Sequence, residues 1–301
     1  MMELISRYGA TFDLFLIAAG FAYSQQIVLR AGVFSIATAG FASLGAYAVA
    51  ILLTRYQVSP WAGLAVATMV GTIAGLLLSI PLARLRGVYQ AIATLAFVEI
   101  IVSLMYFADG ITNGAAGIHS IPKVVGTPHL IVALCVVLYL FHAIGRTGMG
   151  RAFDVIRQDE TVGLTLGVSV TRYQALAFVL SGALGAAYGG LLSLNTYSVD
   201  PGQFGFEFVV AALAAVVLGG PRNMWGPVIG AAVLSVLPEL ARPLAEYRPM
   251  LHGVLLVVII TFLPHGIADS IAAARQNHRV RRDLEKLAPP VPASVSAGGA
   301  K

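Results

Sequence analysis

A carboxylate inside an apolar run is the first residue in this sequence whose type and place could do chemistry. Glu99 lies just past the middle of the apolar run 88 to 107. A charge at that depth in a bilayer costs roughly 2.5–3.5 kcal/mol on insertion scales, so something must offset it. The offset could be a proton relay, a hydrogen-bond partner on a neighbouring helix, or a wet cavity. Asp13, His142, Glu207 and Glu239 lie nearer the ends of their runs, and one deep carboxylate is thin support for a relay. The structural or cavity-facing carboxylate is the favoured reading. An ion-coupled secondary transporter or channel using Glu99 is the alternative.

Other chemistries are excluded by motif. A phosphate-cradling loop needs G-x-x-x-x-G-K followed by Ser or Thr. The three lysines are Lys123, followed by Val124, Lys286, followed by Leu287, and the last residue, Lys301. The chain therefore carries no Walker A loop and is not expected to be an ATPase or another enzyme. No G-x-S-x-G, no H-E-x-x-H and no metal-ligand spacing of His, Asp, Glu or Cys occurs. Cys135 is the single cysteine, so no disulfide can form within one chain.

The informative polar segment runs from Gly145 to Tyr173. Phe153, Ile156 and Leu164 alternate there with Arg151, Asp154, Arg157, Asp159 and Glu160, the pattern of a short amphipathic helix, and Gly167 permits a left-handed stop. Apolar knobs with mixed charge suit docking into a groove on another protein. The three acidic residues weigh against a helix lying on anionic lipid.

The elements that position these residues follow from composition. Charged residues make up 11% of the chain, about half the usual share, and they cluster between long uncharged stretches. With glycine counted in and tyrosine out, the apolar share is roughly 65%, against about 45–50% in soluble domains. Apolar runs predict helices near 11 to 29, 33 to 53, 61 to 80, 88 to 107, 130 to 144, 174 to 194, 207 to 219, 227 to 240 and 250 to 263. Helices are expected because open strands would leave backbone groups unpaired in lipid, and the alternation of a barrel is missing. The fold class is all-α, a polytopic transmembrane helical bundle of about 8–10 spans in the lipid bilayer, some of them broken or re-entrant. Residues 1–267 form the transmembrane domain, and 268–301 a basic, then disordered, tail. The start of the chain is read as a first spanning helix rather than a signal peptide, because Glu3 and Asp13 spoil a basic leader.

Two places thin out the bulky side chains. One is Ala31 to Tyr47, with Gly40 and Ser43, and the other is the interruption between 207 and 240 at Gly219-Gly220-Pro221-Arg222-Asn223. Either could line a pathway or simply pack closely. Small residues four apart, as at Ser181, Gly185, Gly189 and Ser193, at Gly71 and Gly75, and at Gly226 and Gly230, mark helix–helix faces whose partner is left open. Under nine spans, fourteen Lys and Arg fall on one side and five on the other, which makes the side carrying 145–173 cytoplasmic. Basic loops also account for the net charge of +5 without nucleic acid.

The sequence Arg151-Ala152-Phe153-Asp154-Val155-Ile156-Arg157-Gln158-Asp159-Glu160, followed by Leu166-Gly167-Val168-Ser169-Val170-Thr171-Arg172-Tyr173, resembles the coupling segment of permease subunits in branched-chain amino-acid ABC importers of the LivM type. The likeness recurs in Leu85-Arg86-Gly87-Val88-Tyr89, Thr112-Asn113-Gly114, Trp225-Gly226-Pro227-Val228-Ile229-Gly230 and Leu263-Pro264-His265-Gly266-Ile267, and covers roughly 30 to 267. Pro221-Arg222-Asn223-Met224, where the family commonly has a Gly-Ser type turn, departs from it. So does Val88, where an acidic or polar residue is frequent after the glycine. These departures leave the solute open among branched-chain amino acids and related compounds.

The resemblance implies a multi-pass subunit of a bacterial inner membrane. Its partners would be two cytoplasmic ATP-binding subunits carrying ATP and Mg, a second permease subunit, expected as a different chain, and a periplasmic solute-binding protein. No cofactor would be bound by this chain. Asp154 would belong to the segment that couples to an ATPase, and Arg151, Arg157 and Glu160 would make its ionic contacts. Phe153, Ile156 and Leu164 would make apolar ones, with Gly167 ending the segment.

Overall fold

A computed structural model describes residues 2–240 and 266–270, with side chains described for 9–236 and 266–270. Each apolar run satisfies its own backbone by coiling, giving α1 (Met2–Arg30), α2 (Thr38–Tyr56), α3 (Pro60–Leu82) and α4 (Val88–Phe107). A short α5 (Asp109–Thr112) precedes α6 (Thr127–Arg146). Two short helices, α7 (Gly148–Gln158) and α8 (Glu160–Thr165), then lead into α9 (Val170–Thr196), α10 (Phe206–Gly219) and α11 (Gly226–Leu240). Among the described residues there is no strand, only an isolated bridge between Ile118 and Val199. Eight expected spans are helices, and the ninth, 250 to 263, lies outside the described residues. Among the described residues, six helices, α1 to α4, α6 and α9, are long and apolar enough to cross a membrane.

Small residues decide how these helices pack. A Cβ on Gly71 or Gly75 would run into the carbonyls of Gly182 or Phe178, and one on Gly45 or Gly189 into those of Ala186 or Ala42. The α2, α3 and α9 backbones therefore touch directly, which maximises dispersion contact where lipid offers no hydrophobic preference. The stripe on α9 is thereby assigned to partners in this chain. Ser24 Oγ on α1 donates to the Ser181 carbonyl at 2.8 Å, and Gly185 packs against Phe41 Cβ. Gly226 and Gly230 close likewise on Gly219 and Ala215. The first helix is deep in this core, with Ser24, Gln25 and Gln26 all buried.

Polar clasps join the helix ends. Asp13 is buried and accepts from Thr127 Oγ1 at 2.6 Å and Asn195 Nδ2 at 3.2 Å, tying α1, α6 and α9 together. At the other end Gln25 bonds the Ser35 carbonyl and accepts from Thr38 Oγ1 at 2.7 Å. That bracket holds Ala31–Ala37 as a non-helical linker, which is why α2 starts at Thr38 and not near 33. Arg30, Arg84, Arg86, Arg146, Arg151, Arg157 and Arg222 share this end, hereafter the basic end.

The chain between α9 and α10 enters the bundle without being helical throughout. Residues 197–205 pair once with Ile118 and bury Phe204, whose ring meets Phe208 at 5.6 Å; Phe208 in turn meets Phe21 edge-on at 4.8 Å. Phe21 lies nine residues, about 14 Å, from the basic end of α1. With 14 residues, α10 need only cover about that distance. This is a broken span of the kind expected from its length.

Candidate functional site at the basic end

The helix α7 lies on the bundle by its apolar face. Ala152, Phe153 and Ile156 are buried, the latter two at 1% exposure, and the Phe153 ring meets Tyr173 of α9 edge-on at 6.2 Å. Gly32, at φ +79°, lets the α1–α2 linker pass against Ile156 and Arg157; a Cβ there would sit 3.4 Å from Arg157 Cα. Phe153 and Ile156, expected as outward knobs, are instead the anchors that hold the segment to its own transmembrane domain.

The single amphipathic helix expected here is two. Asp159 adopts an extended backbone (φ −160°, ψ 117°), and its carboxylate accepts from the amides of Thr161 at 2.7 Å and Val162 at 3.4 Å, capping α8. Those amide bonds hold the Asp159 carboxyl below its usual range, since they favour the charged form. After the break, Val162, Leu164 and Leu166 stand out from the surface at 49%, 55% and 67% exposure. Gly163 alone of α8 is buried, beneath Val155 and Ile156, and Gly167 at φ +76° ends the turn as expected. Leu164 is thus an outward knob, as read from sequence. Val162 and Leu166 were missed, although Asp159 followed by an acidic residue and Thr is itself a helix-start signal.

Charged groups tie the pair of helices to several elements. Arg30 at the end of α1 approaches Asp154 at 3.9 Å, and Arg86, just before α4, pairs with Glu160. Gln174 Nε2 of α9 also donates to Glu160 Oε1 at 3.1 Å. Arg151 and Gln158 remain exposed. Arg157 is half-buried. Its pKa is lowered first by burial and then by Arg222, against the opposing pull of Asp154 and Asp269. Arg222 belongs to the loop Pro221–Met224, which Asp269 holds by accepting from the amides of Arg222 (3.0 Å) and Asn223 (2.8 Å). Gln26 Nε2 and the Tyr23 hydroxyl donate to the Asn223 and Met224 carbonyls of the same loop, at 2.8 and 2.7 Å. The packed chain therefore reaches at least Asp269, two residues past the expected tail boundary. A force on α7 and α8 would reach α1, α9, the start of α4 and the α10–α11 loop together.

The suggested pathway residues separate. Gly40 is a packing position, because a Cβ would lie 2.7 Å from the Phe97 ring of α4. Ser43 is fully buried, and its hydroxyl has no partner among the described residues. Glu99 is exposed on α4, and among the described residues nothing pairs with it.

Comparison with known proteins fits this geometry. The family model described as "Branched-chain amino acid transport system / permease component" matches residues 10–263. The permease LivM of Salmonella typhimurium, named for high-affinity branched-chain amino acid transport, is 33% identical over 275 residues, covering 80% of this chain and 65% of the relative. LivM of Escherichia coli K12 is 32% identical with the same coverage. LivH of Salmonella typhimurium, likewise named a permease of high-affinity branched-chain amino acid transport, is 32% identical over 139 residues, 46% of this chain and 45% of LivH. The chain thus spans just under two thirds of the LivM relatives it matches. No solved structure matches it. A helical bundle with a braced pair of short helices at its basic end, matched by the family model from the first spanning helix to beyond the last one described, belongs to the branched-chain amino acid transport permease family.

Proposed function

We propose that this chain is the permease subunit of an ATP-driven, binding-protein-dependent importer of branched-chain or closely related amino acids, resident in a bacterial inner membrane. The observation that carries the reading is the outward apolar triad Val162, Leu164 and Leu166 on a platform bolted to the bundle by Phe153, Ile156 and the charged contacts of Asp154 and Glu160. An ATP-driven importer whose membrane chain has no P-loop must take ATP hydrolysis from another subunit, and an exposed apolar patch rimmed by charge marks a protein-docking surface. Two ATP-binding subunits carrying ATP and Mg would seat on this surface, on the cytoplasmic side.

Closure of the ATPases would push α7 and α8 as one rigid body, and the braces would pass the displacement to α1, α4 and α9. A second permease, of the LivH kind, would complete the pathway, and a secreted binding protein would deliver the solute from the opposite end. The relatives are named as permeases of high-affinity branched-chain amino acid transport, which supports this importer, and none is named as an ion-coupled carrier.

The test is co-purification with the ATPase partner and the second permease, followed by Val162→Asp and Leu164→Asp. Loss of the ATPase from the complex, with the permease pair still folded, is the expected result. ATPase retention and full solute-stimulated hydrolysis would show that another surface couples.

A further inference from the structure

Among the described residues α4 is sparsely covered, packing mainly on α2, on residues 201–204 and on the Asp109–Ala116 cap. Ile92, Ala96, Glu99, Ser103 and Tyr106 recur along it at alternating four- and three-residue steps, so they form one face, and Ile92, Glu99, Ser103 and Tyr106 on it are exposed. The half of this stripe toward the end away from the basic residues is polar, unlike the outward face of α3, which carries Met69, Ile73, Leu76 and Ile80.

The stripe leads somewhere. A Cβ on Gly202 would lie 3.4 Å from the Tyr106 hydroxyl and 3.3 Å from Asp200 Oδ1, so the polar face of α4 runs out onto the irregular entry of residues 197–205, in which only Pro201–Phe204 makes a 3-10 turn. Irregular backbone among membrane helices survives where it is buried in protein or lines a water-filled cavity. Beside it, the Tyr47 hydroxyl is buried, has no hydrogen-bond partner among the described residues, and lies within electrostatic reach of Asp200 and Tyr106. Asp200 itself accepts from the Gln203 amide and side chain at 3.1 and 2.6 Å, which orients it without neutralising it.

We propose that Glu99, Ser103 and Tyr106 form this chain's wall of the solute pathway, and that the Glu99 carboxylate receives the ammonium group of the passing amino acid. The proposal rests on the permease reading above. An unpaired anion at mid-helix is the complement of a zwitterion's ammonium. Ser103, one turn further out, and Tyr106, one more, supply hydroxyls that can replace water around the solute on its way in from Asp200. Glu99 so placed would be a specificity residue, favouring solutes that keep a free amino group.

The test uses the full importer in a Cys135→Ser background, since Cys135 is exposed and would react. The single-cysteine variants are Ser103→Cys on the stripe and Leu76→Cys on the apolar face of α3. Water-soluble thiosulfonates, one cationic and one anionic, are added from the side away from the ATPases. Ser103→Cys is expected to react at least tenfold faster than Leu76→Cys and to prefer the cationic reagent severalfold, a preference that Glu99→Gln abolishes. Equal rates at positions 103 and 76 would mean a lipid-facing or dry helix contact and would overturn the pathway assignment.

Leucine uptake is read in parallel. Glu99→Gln is expected to lower it at least tenfold at normal complex yield, while Glu99→Asp keeps most of it. Uptake by Glu99→Gln within twofold of the unmodified importer would overturn the ammonium role. If Glu99→Gln fails to assemble, the reagent preference of Ser103→Cys with Glu99 intact still decides. If the Glu99 importer does not transport leucine, the importer reading fails on its own, and the labelling pattern still tests whether the stripe faces water.

Discussion

Truncating the anchor of the short helices separates two roles that a stretch of amphipathic sequence cannot distinguish. Phe153 is 1% exposed and stacked edge-on against Tyr173, so Phe153→Ala removes a fully buried ring and leaves a cavity, which costs about 3–5 kcal/mol. The loss falls on an 11-residue helix at the periphery, so it is expected to appear as local opening rather than global unfolding. At about 3 kcal/mol the open population of α7 rises on the order of 100-fold. Leu164→Ala, at 55% exposure, removes little buried surface and is expected to change stability by less than about 0.5 kcal/mol. Hydrogen exchange on the detergent-purified complex reads both. Amides of 151–158 should exchange about 100-fold faster in Phe153→Ala and unchanged in Leu164→Ala, whereas both substitutions should lower transport-coupled ATP hydrolysis. Unchanged protection of 151–158 in Phe153→Ala would refute the anchoring role.

Three further outcomes follow from the geometry. Asp13→Ala strands Thr127 and leaves Asn195 only the Val125 carbonyl, so it should cost about 2 kcal/mol, and a double-mutant cycle with Asn195→Ala on thermal unfolding should show non-additivity. Gly71→Leu drives side-chain atoms into the Gly182 backbone and should destabilise the bundle at or above the upper end of the roughly 1–3 kcal/mol of overpacking, read as a lowered Tm. The folded pKa of Asp159 is depressed, so its charged cap on α8 is fully present above the unfolded value of about 3.9 and is lost as pH falls through the lower folded value. Exchange at Thr161 and Val162, corrected for intrinsic rates, should accelerate across that window, and Asp159→Asn should remove the dependence.

The transmembrane part was legible because one signal dominates it: uncharged apolar runs have only helices available in lipid, and eight such runs are helices, with ends within a few residues of the runs' ends except that α1 already begins at Met2 rather than near 11. Differences arise where a side chain, not hydropathy, sets the boundary, as Gln25 does in holding Ser35 and delaying α2. Small-residue stripes announced close approach but not with whom, because Gly71 and Gly185 carry no information about the facing backbone. The coupling segment shows the same gap. Periodicity identified Phe153, Ile156 and Leu164 as apolar, but only the fold shows that two of them turn inward. Asp159 could have marked the break, since an N-cap is a local event that outranks a weak helical period. The exposure of Glu99 could not be read at all, because a single carboxylate does not say which face of its helix is covered.

The most direct test of an externally driven permease is solute accumulation in proteoliposomes containing this chain, its sister permease and the ATPases, with leucine-loaded binding protein in the compartment away from the ATPases. Uphill leucine movement should require ATP and should vanish when the ATPase subunits are left out, whatever proton or sodium gradient is applied. Accumulation by this chain alone on an ion gradient, abolished by Glu99→Gln, would contradict the account.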